Sequence, residues 1–176
     1  MRIRNYRAEY LQAIAQIQQA AAEIDGTAVK SEADLEIWLQ ELEAEANAFV
    51  VTDDDDELNP WGQAGTLDGL EGEVAGYTVV QLVRNQSGYH FLCQGTVHPH
   101  YRRQNAGRTL LVGALNRARL LASDFEFEAE EEGISIYFEA LFPVEDPGAV
   151  HLAAKYEMQS TDEPAPVGLC LYRRDL

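Results

Sequence analysis

Residues Gly95–Ala118 read GTVHPHYRRQNAGRTLLVGALNRA. The opening Gly-Thr-Val closes a strand, because Pro99 lacks the amide hydrogen a ladder would need. A short basic turn follows. From about Gly107 or Arg108, apolar Leu111, Ala114, Leu115 and Ala118 recur at helical spacing. Arg102, Arg103 and Arg108 crowd this turn in a chain whose formal net charge is -17. Two readings account for that local positive charge. In the first, a phosphorylated ligand sits at the helix N-terminus, where unpartnered N–H groups and the helix dipole favour an anion. Gly107 would let it approach the backbone, and the arginines would add charge-assisted hydrogen bonds. In the second, a basic loop caps its helix and pairs with an acidic surface. Spacing alone leaves both open.

On the N-terminal side, Met1–Tyr6 alternates as a short strand, and Ala8–Ile24 carries Leu11, Ile14, Ile17, Ala21 and Ile24 at helical spacing, closed by Gly26. Ser31 begins a second helix with an acidic residue three positions later, which is a capping-box-like start. AFVVT (Ala48–Thr52) is a strand. Residues 53–72, rich in Asp, Gly, Asn and Pro, read as a long mobile loop. Glu73–Arg84 and Tyr89–Val97 form a hairpin around a turn at Asn85–Gly88. Beyond the opening stretch come an apolar strand (Ile134–Phe142) too hydrophobic for an edge, a short helix (Gly148–Met158) and a last strand (Val167–Arg173). The order β-α-α-β-β-β-α-β-α-β predicts one α/β sheet with helices on its faces, in a single domain covering 1–176.

At 176 residues and 46% hydrophobic content the chain has the makings of an ordinary globular core. The acidic balance argues against nucleic acid as a partner, whose phosphates need a basic face. No apolar run reaches the length of a membrane span, and the first residues lack the apolar core of a signal peptide. Cys93 and Cys170 stand in apolar strand-like runs with no metal or redox spacing, which reads as two buried thiols in a cytoplasmic protein. His98 and His100 have no further ligand nearby, so no metal is expected. The acidic runs Asp53–Glu57 and Glu126–Glu132 read as solvated loops or frayed helix ends.

HPHYRRQNAGRTLL resembles the acyl-CoA-binding segment of the GNAT N-acetyltransferase superfamily, whose members read V-x-P-x-[YF]-R-[RG]-x-G-x-[GA] at the end of the fourth strand. Val97, Pro99, Tyr101, Arg102 and Gly107 match. The element order resembles that family across the whole chain. The resemblance implies a single mixed, mostly antiparallel sheet with helices on both faces. It implies acetyl-CoA as co-substrate, held by Thr96, Val97, Arg102, Arg103, Gln104, Asn105, Ala106, Gly107 and Arg108. It further implies that the strand at Gly95–Val97 splays from its neighbour at Ile134–Phe142, and that a small-molecule amine enters from the opposite side.

The chain departs from the family pattern in three places. Asn105 replaces the first glycine of the turn, and asparagine is the residue that best tolerates the left-handed region after glycine. Ala153 stands where the family carries a tyrosine that protonates the departing thiolate. Tyr156, three residues on, either presents its phenol from one turn lower or is a packing residue. The fourth strand has Gln94 and no carboxylate. Gln94 could orient a water or the acceptor, while Glu139 on the neighbouring strand is a candidate base. The catalytic candidates are therefore Tyr156, Gln94 and Glu139. Acetyl transfer to a primary amine by direct attack in a ternary complex leads. The alternative is a catalytically weak CoA-binding sensor or regulatory module, and a domain that binds no CoA is the third reading. Acidic loops favour a cationic amine, and the apolar last strand could support a homodimer.

Overall fold

The computed structural model describes residues 1–54 and 72–176. Most of the expected loop at 53–72 lies outside the described residues. Seven strands form one sheet: β1 (Arg2–Asn5), β2 (Ala48–Thr52), β3 (Val74–Asn85), β4 (Gly88–Val97), β5 (Ser135–Pro143), β6 (Gln159–Ser160) and β7 (Leu169–Asp175). Their spatial order is β1-β2-β3-β4-β5-β7-β6. Every neighbouring pair is antiparallel except β4–β5, which is parallel. A parallel pair needs a crossover, and α4 (Ala106–Ala122) with α5 (Glu126–Glu132) supplies it.

The strand period of two sorts side chains onto two cores. On one face, α4 buries Leu111, Ala114, Leu115 and Ala118 against Val80, Phe91, Cys93, Phe138 and Ala140. On the other, α1 (Leu11–Asp25) and α2 (Glu32–Glu41) pack Ile14, Ile17, Leu35 and Leu39 against Val50, Tyr77 and Val79. Phe91 and Phe138 are both fully buried and cross-strand neighbours. Each contributes about 1.5–3 kcal/mol by its removal from water. The remaining helices are α3 (Ala44–Asn47) and α6 (Pro147–Lys155).

Local chemistry sets the boundaries. Gly26 takes φ 66 and ends α1. Ser31 caps α2 by accepting from the Asp34 amide at 3.1 Å. Asp146 caps α6 by accepting from the Gly148 amide at 2.8 Å, with Pro147 in the first turn.

Three sequence expectations are corrected. Glu126–Glu132 is a short helix and not only a solvated run. Ala129 is buried, Phe125 stacks on Tyr89 with ring centroids 4.8 Å apart, and Arg84 pairs with Glu128 and Glu132 at 3.1 and 3.0 Å. A seven-residue stretch with a single buried position has too little periodicity to show in sequence. Cys170 is half-buried, not buried. The helix of the opening stretch starts at Ala106, ahead of Gly107, because Asn105 provides the left-handed entry at φ 67. Arg103 is also left-handed, at φ 64, which its residue type does not announce.

Candidate active site

β4 and β5 run side by side from Gly88↔Ser135 to Cys93↔Ala140, and there the pairing stops. Neither strand ends there. β4 continues on β3 as far as Gly76↔Val97, and β5 continues on β7 as far as Pro143↔Leu169. Each keeps its outer partner and releases its inner one, so the sheet splits between Gln94–Val97 and Leu141–Pro143. A cleft of about 320 Å³ occupies the split, walled by Gly95, Thr96 and Val97 on one side and Leu141, Phe142 and Pro143 on the other. Backbone polar groups along such a split seek partners of their own kind.

One end of the cleft opens onto the N-terminus of α4. The first intrahelical bond there runs from the Thr109 amide to the Asn105 carbonyl at 2.9 Å. The amides of Ala106, Gly107 and Arg108 therefore have no helical acceptor, and Asn105 offers no side-chain cap. Asn105, Gly107 and Arg108 all line the cleft. A Cβ on Gly107 would meet only Val97 Cγ2 at 3.7 Å and Leu152 Cδ2 at 3.8 Å, which is ordinary contact. The protein's own packing does not require this glycine. What the missing side chain leaves open is the approach from the cleft to the amides.

The three arginines of the turn do different things. Arg102 lines the cleft with its guanidinium engaged: Nη1 and Nη2 donate to the two carboxylate oxygens of Asp25 at 2.8 and 2.5 Å, and Nε donates to the Val97 carbonyl at 3.3 Å. Arg103 lies across the first turn of α6, its Cζ 2.7 Å from where a Gly148 Cβ would sit, and it makes no ion pair among the described residues. Arg108 donates from Nε to the Tyr156 phenol oxygen at 3.3 Å. Gln104 is exposed and donates to the His100 carbonyl at 2.9 Å. Ala106 is buried beneath the turn against Val51, Ala75 and Leu110. Tyr101 donates to Glu73 at 2.8 Å and to Asp53 at 3.2 Å, and these two carboxylates push its phenol up to about 12.

The far wall comes from α6. Gly148, His151, Leu152 and Lys155 line the cleft, at the spacing of one helix face. Lys155 thus joins Arg102, Arg103 and Arg108 as a fourth Lys or Arg lining the cleft, and unlike Arg102 it is not paired with Asp25. Sequence inspection passed over His151 and Lys155, although their i, i+4 spacing on the helix after Asp146-Pro147 was a usable signal. Ala153 is fully buried in the core under α6, so its position faces packed side chains. Tyr156 packs against the same core and is not among the cleft walls.

Gln94 and Glu139 share the sheet face covered by α1 and α2, diagonal to one another across the point where the strands part. Gln94 donates to Gln81 at 3.4 Å. Glu139 is buried, with Oε1 2.9 Å from His90 Nδ1 and 2.6 Å from Arg173 Nε. His90 Nε2 in turn lies 2.8 Å from Ser87 Oγ.

Cys93 is the last residue of β4 paired with β5, and its Sγ lies 3.1 Å from Thr78 Oγ1. Burial pushes the thiol up to about 11. It is therefore protonated at neutral pH and a poor nucleophile. Alkylation by iodoacetamide at pH 8 is expected to fall on Cys170, with Cys93 modified only as the pH approaches 11, as peptide mass spectrometry would show. The same shift destabilises the fold in alkali. The unfolded thiol ionises near 9 and the folded one near 11, so this stabilising contribution is complete below 9 and lost as pH rises toward 11.

No group of His, Cys, Asp and Glu suited to a metal ion occurs among the described residues, and none of their helices is long and apolar enough to cross a membrane.

A mixed sheet split beside an anion-ready helix N-terminus defines an α/β domain of the acetyltransferase type. The sequence pattern of the Acetyltransferase (GNAT) family matches residues 11–129, and the chain belongs to that family. It is 31% identical over 85 residues to a mycothiol acetyltransferase from Saccharopolyspora erythraea, a match covering 48% of this chain and 27% of that protein. The chain thus spans about a quarter of the length of that curated relative. Solved structures share the fold at low identity. A ribosomal-protein-alanine N-acetyltransferase from Brucella melitensis superposes with a TM-score of 0.64 at 16% identity, covering 100% of both chains. A phosphinothricin acetyltransferase from Sinorhizobium meliloti, solved with acetyl-CoA, gives 0.64 at 16% identity over 99% of this chain and 88% of that one.

Proposed function

We propose that the protein moves the acetyl group of acetyl-CoA to a primary amine, by direct attack while both substrates are bound. The observation that carries this reading is the split between β4 and β5 leading straight from the free amides of α4. The residues present fit the coenzyme. The amides of Ala106, Gly107 and Arg108 suit a pyrophosphate, and Arg103, Arg108 and Lys155 supply compensating charge. The edge of β4 that β5 releases beyond Cys93 suits an amide-bearing arm laid along the strand, as an added strand would lie. Bound there, acetyl-CoA supplies an activated acyl group with a thiolate leaving group.

The chain's own work is then positioning and proton handling. Backbone donors at the split orient the acyl carbonyl, and closeness of the two reactants supplies much of the rate. From the α1–α2 side of the parting strands, outside the cleft walls, Gln94 places the neutral amine, and Glu139, backed by His90 and Arg173, takes the proton released as the C–N bond forms and the C–S bond breaks. A thiolate leaves without an acid, so no phenol is needed at position 153. The acceptor is a small, cationic amine drawn by the acidic surface.

Gly107→Ala separates this reading from a purely structural domain. The packing around Gly107 predicts a thermal midpoint within a degree or two of wild type, while the added methyl weakens CoA binding about tenfold in calorimetry. Unchanged affinity would remove the turn from the coenzyme site. Thiol release from acetyl-CoA across a panel of amines tests transfer itself. CoA binding without thiol release from any amine would favour a sensor, a reading the engaged state of Arg102 and Tyr156 also accommodates.

A further inference from the structure

We propose that Asp25 is a positioning residue that ties the loop after α1 to the coenzyme turn, so that the order of residues 26–30 and the occupancy of the cleft are coupled through Arg102. The inference rests on coenzyme A binding at the turn, as proposed above.

Asp25 is an expensive carboxylate. It is the last residue of α1, where the helix dipole disfavours negative charge, and its side chain is 2% exposed. Its compensation is the bidentate Arg102 pair at 2.8 and 2.5 Å. Arg102 opens a turn that contains two left-handed residues other than glycine, Arg103 at φ 64 and Asn105 at φ 67. Such conformations persist only where the surroundings over-determine them. The Asp25 clamp and the Arg102 bond to the Val97 carbonyl fix the start of that turn.

The loop after Asp25 is packed at its start against Gly168 and hydrogen-bonded at its end to Gln18. At its start, Gly168 backs onto the carbonyls of Asp25 and Gly26, where a Cβ would sit 2.9 and 3.1 Å away. The Gly168 carbonyl accepts from the Val144 amide at 3.0 Å, on the link between β5 and α6. At its end, the Lys30 amide donates to Gln18 Oε1 at 3.2 Å, and Gln18 Nε2 donates to the Tyr77 phenol oxygen at 2.8 Å. Arg102 and Tyr77 both line the cleft. Two independent tethers thus run from one loop, on the α1–α2 face of the sheet, to the walls of the coenzyme cleft.

This arrangement fixes the sign of the effect. Were Arg102 a phosphate ligand held back by Asp25, freeing it would tighten CoA binding. Acting as a tether, it holds the turn's amides in place, and freeing it weakens binding. The test compares wild type, Asp25→Asn and Arg102→Lys by CoA calorimetry and by hydrogen exchange of residues 26–30 with and without CoA. Wild type is expected to gain protection in this loop on adding CoA. Asp25→Asn is expected to bind CoA about tenfold more weakly, with loop exchange that no longer responds to it. Arg102→Lys keeps the charge and loses the two-pronged geometry, so it should behave like Asp25→Asn. Asp25→Glu, which retains the carboxylate, should restore part of both. If Asp25→Asn does not fold, Arg102→Lys decides alone. Unchanged or tighter CoA binding, with loop protection intact, overturns the coupling. Wild type that binds no CoA overturns the proposed function instead, whatever the variants do.

Discussion

Gly95→Val is expected to destabilise the protein by about 3 kcal/mol and to abolish coenzyme binding in whatever fraction remains folded. Gly95 lies opposite Thr78 in the β3–β4 ladder, two residues past the last β4–β5 pair. A Cβ there would fall 2.1 Å from the Tyr77 carbonyl oxygen and 2.7 Å from Thr78 Cα. Both are backbone atoms of a central strand, so no rotamer change relieves the clash. The strands must move apart, and the wall of the cleft moves with them. Urea unfolding followed by circular dichroism measures the stability loss, and calorimetry measures binding. A variant of wild-type midpoint would show that β3 and β4 lie further apart than described. Gly107→Ala is the contrasting case, with room for its methyl and an effect confined to the ligand.

Glu139→Ala is expected to cost about 3 kcal/mol and, under the proposed mechanism, 10²–10⁴-fold in turnover. Glu139 is buried and answers two cationic or donor groups, Arg173 Nε at 2.6 Å and His90 Nδ1 at 2.9 Å. Removing it strands the half-buried Arg173 guanidinium, which retains Glu163 at 2.6 Å. That surviving partner keeps the loss at the lower end for a broken buried pair. Glu139→Gln keeps an acceptor for both donors and loses the capacity to take a proton. It should therefore recover much of the urea midpoint while turnover stays low. If both variants turn over at the wild-type rate, Glu139 is a structural carboxylate and the proton goes elsewhere.

Much of the fold was legible because it is written in local patterns. The apolar strand runs of AFVVT and the β3–β4 hairpin, the helical spacing in α1 and α4, and the helix boundaries at Gly26 and Ser31 each depend on neighbours within a few residues. The turn proposed to hold the coenzyme was legible for the same reason: strand end, proline, basic turn and helix start are consecutive in the chain. Asn105 could be assigned a left-handed conformation from its chemistry, and it adopts one. The short helix α5 was not legible, since a single buried alanine and the contact of Phe125 with Tyr89 hold it in place, and that contact spans distant segments.

The sequence by itself therefore determined the class of sheet, the order of its elements and the position of an anion-ready turn in an acidic chain. The tertiary structure alone decided what the charged residues of that turn do. Arg102 reads like a phosphate ligand in one dimension, yet 77 residues away in sequence Asp25 ends a helix beside it, and a buried carboxylate cannot go unpaired. The same holds for Glu139, whose neighbours Arg173 and His90 come from two other strands, and for Lys155, brought to the cleft by the turn of α6. Local backbone preference acts over a few residues and can be read along the chain. Desolvation and ion pairing act through space, so their partners become visible only when the chain has folded.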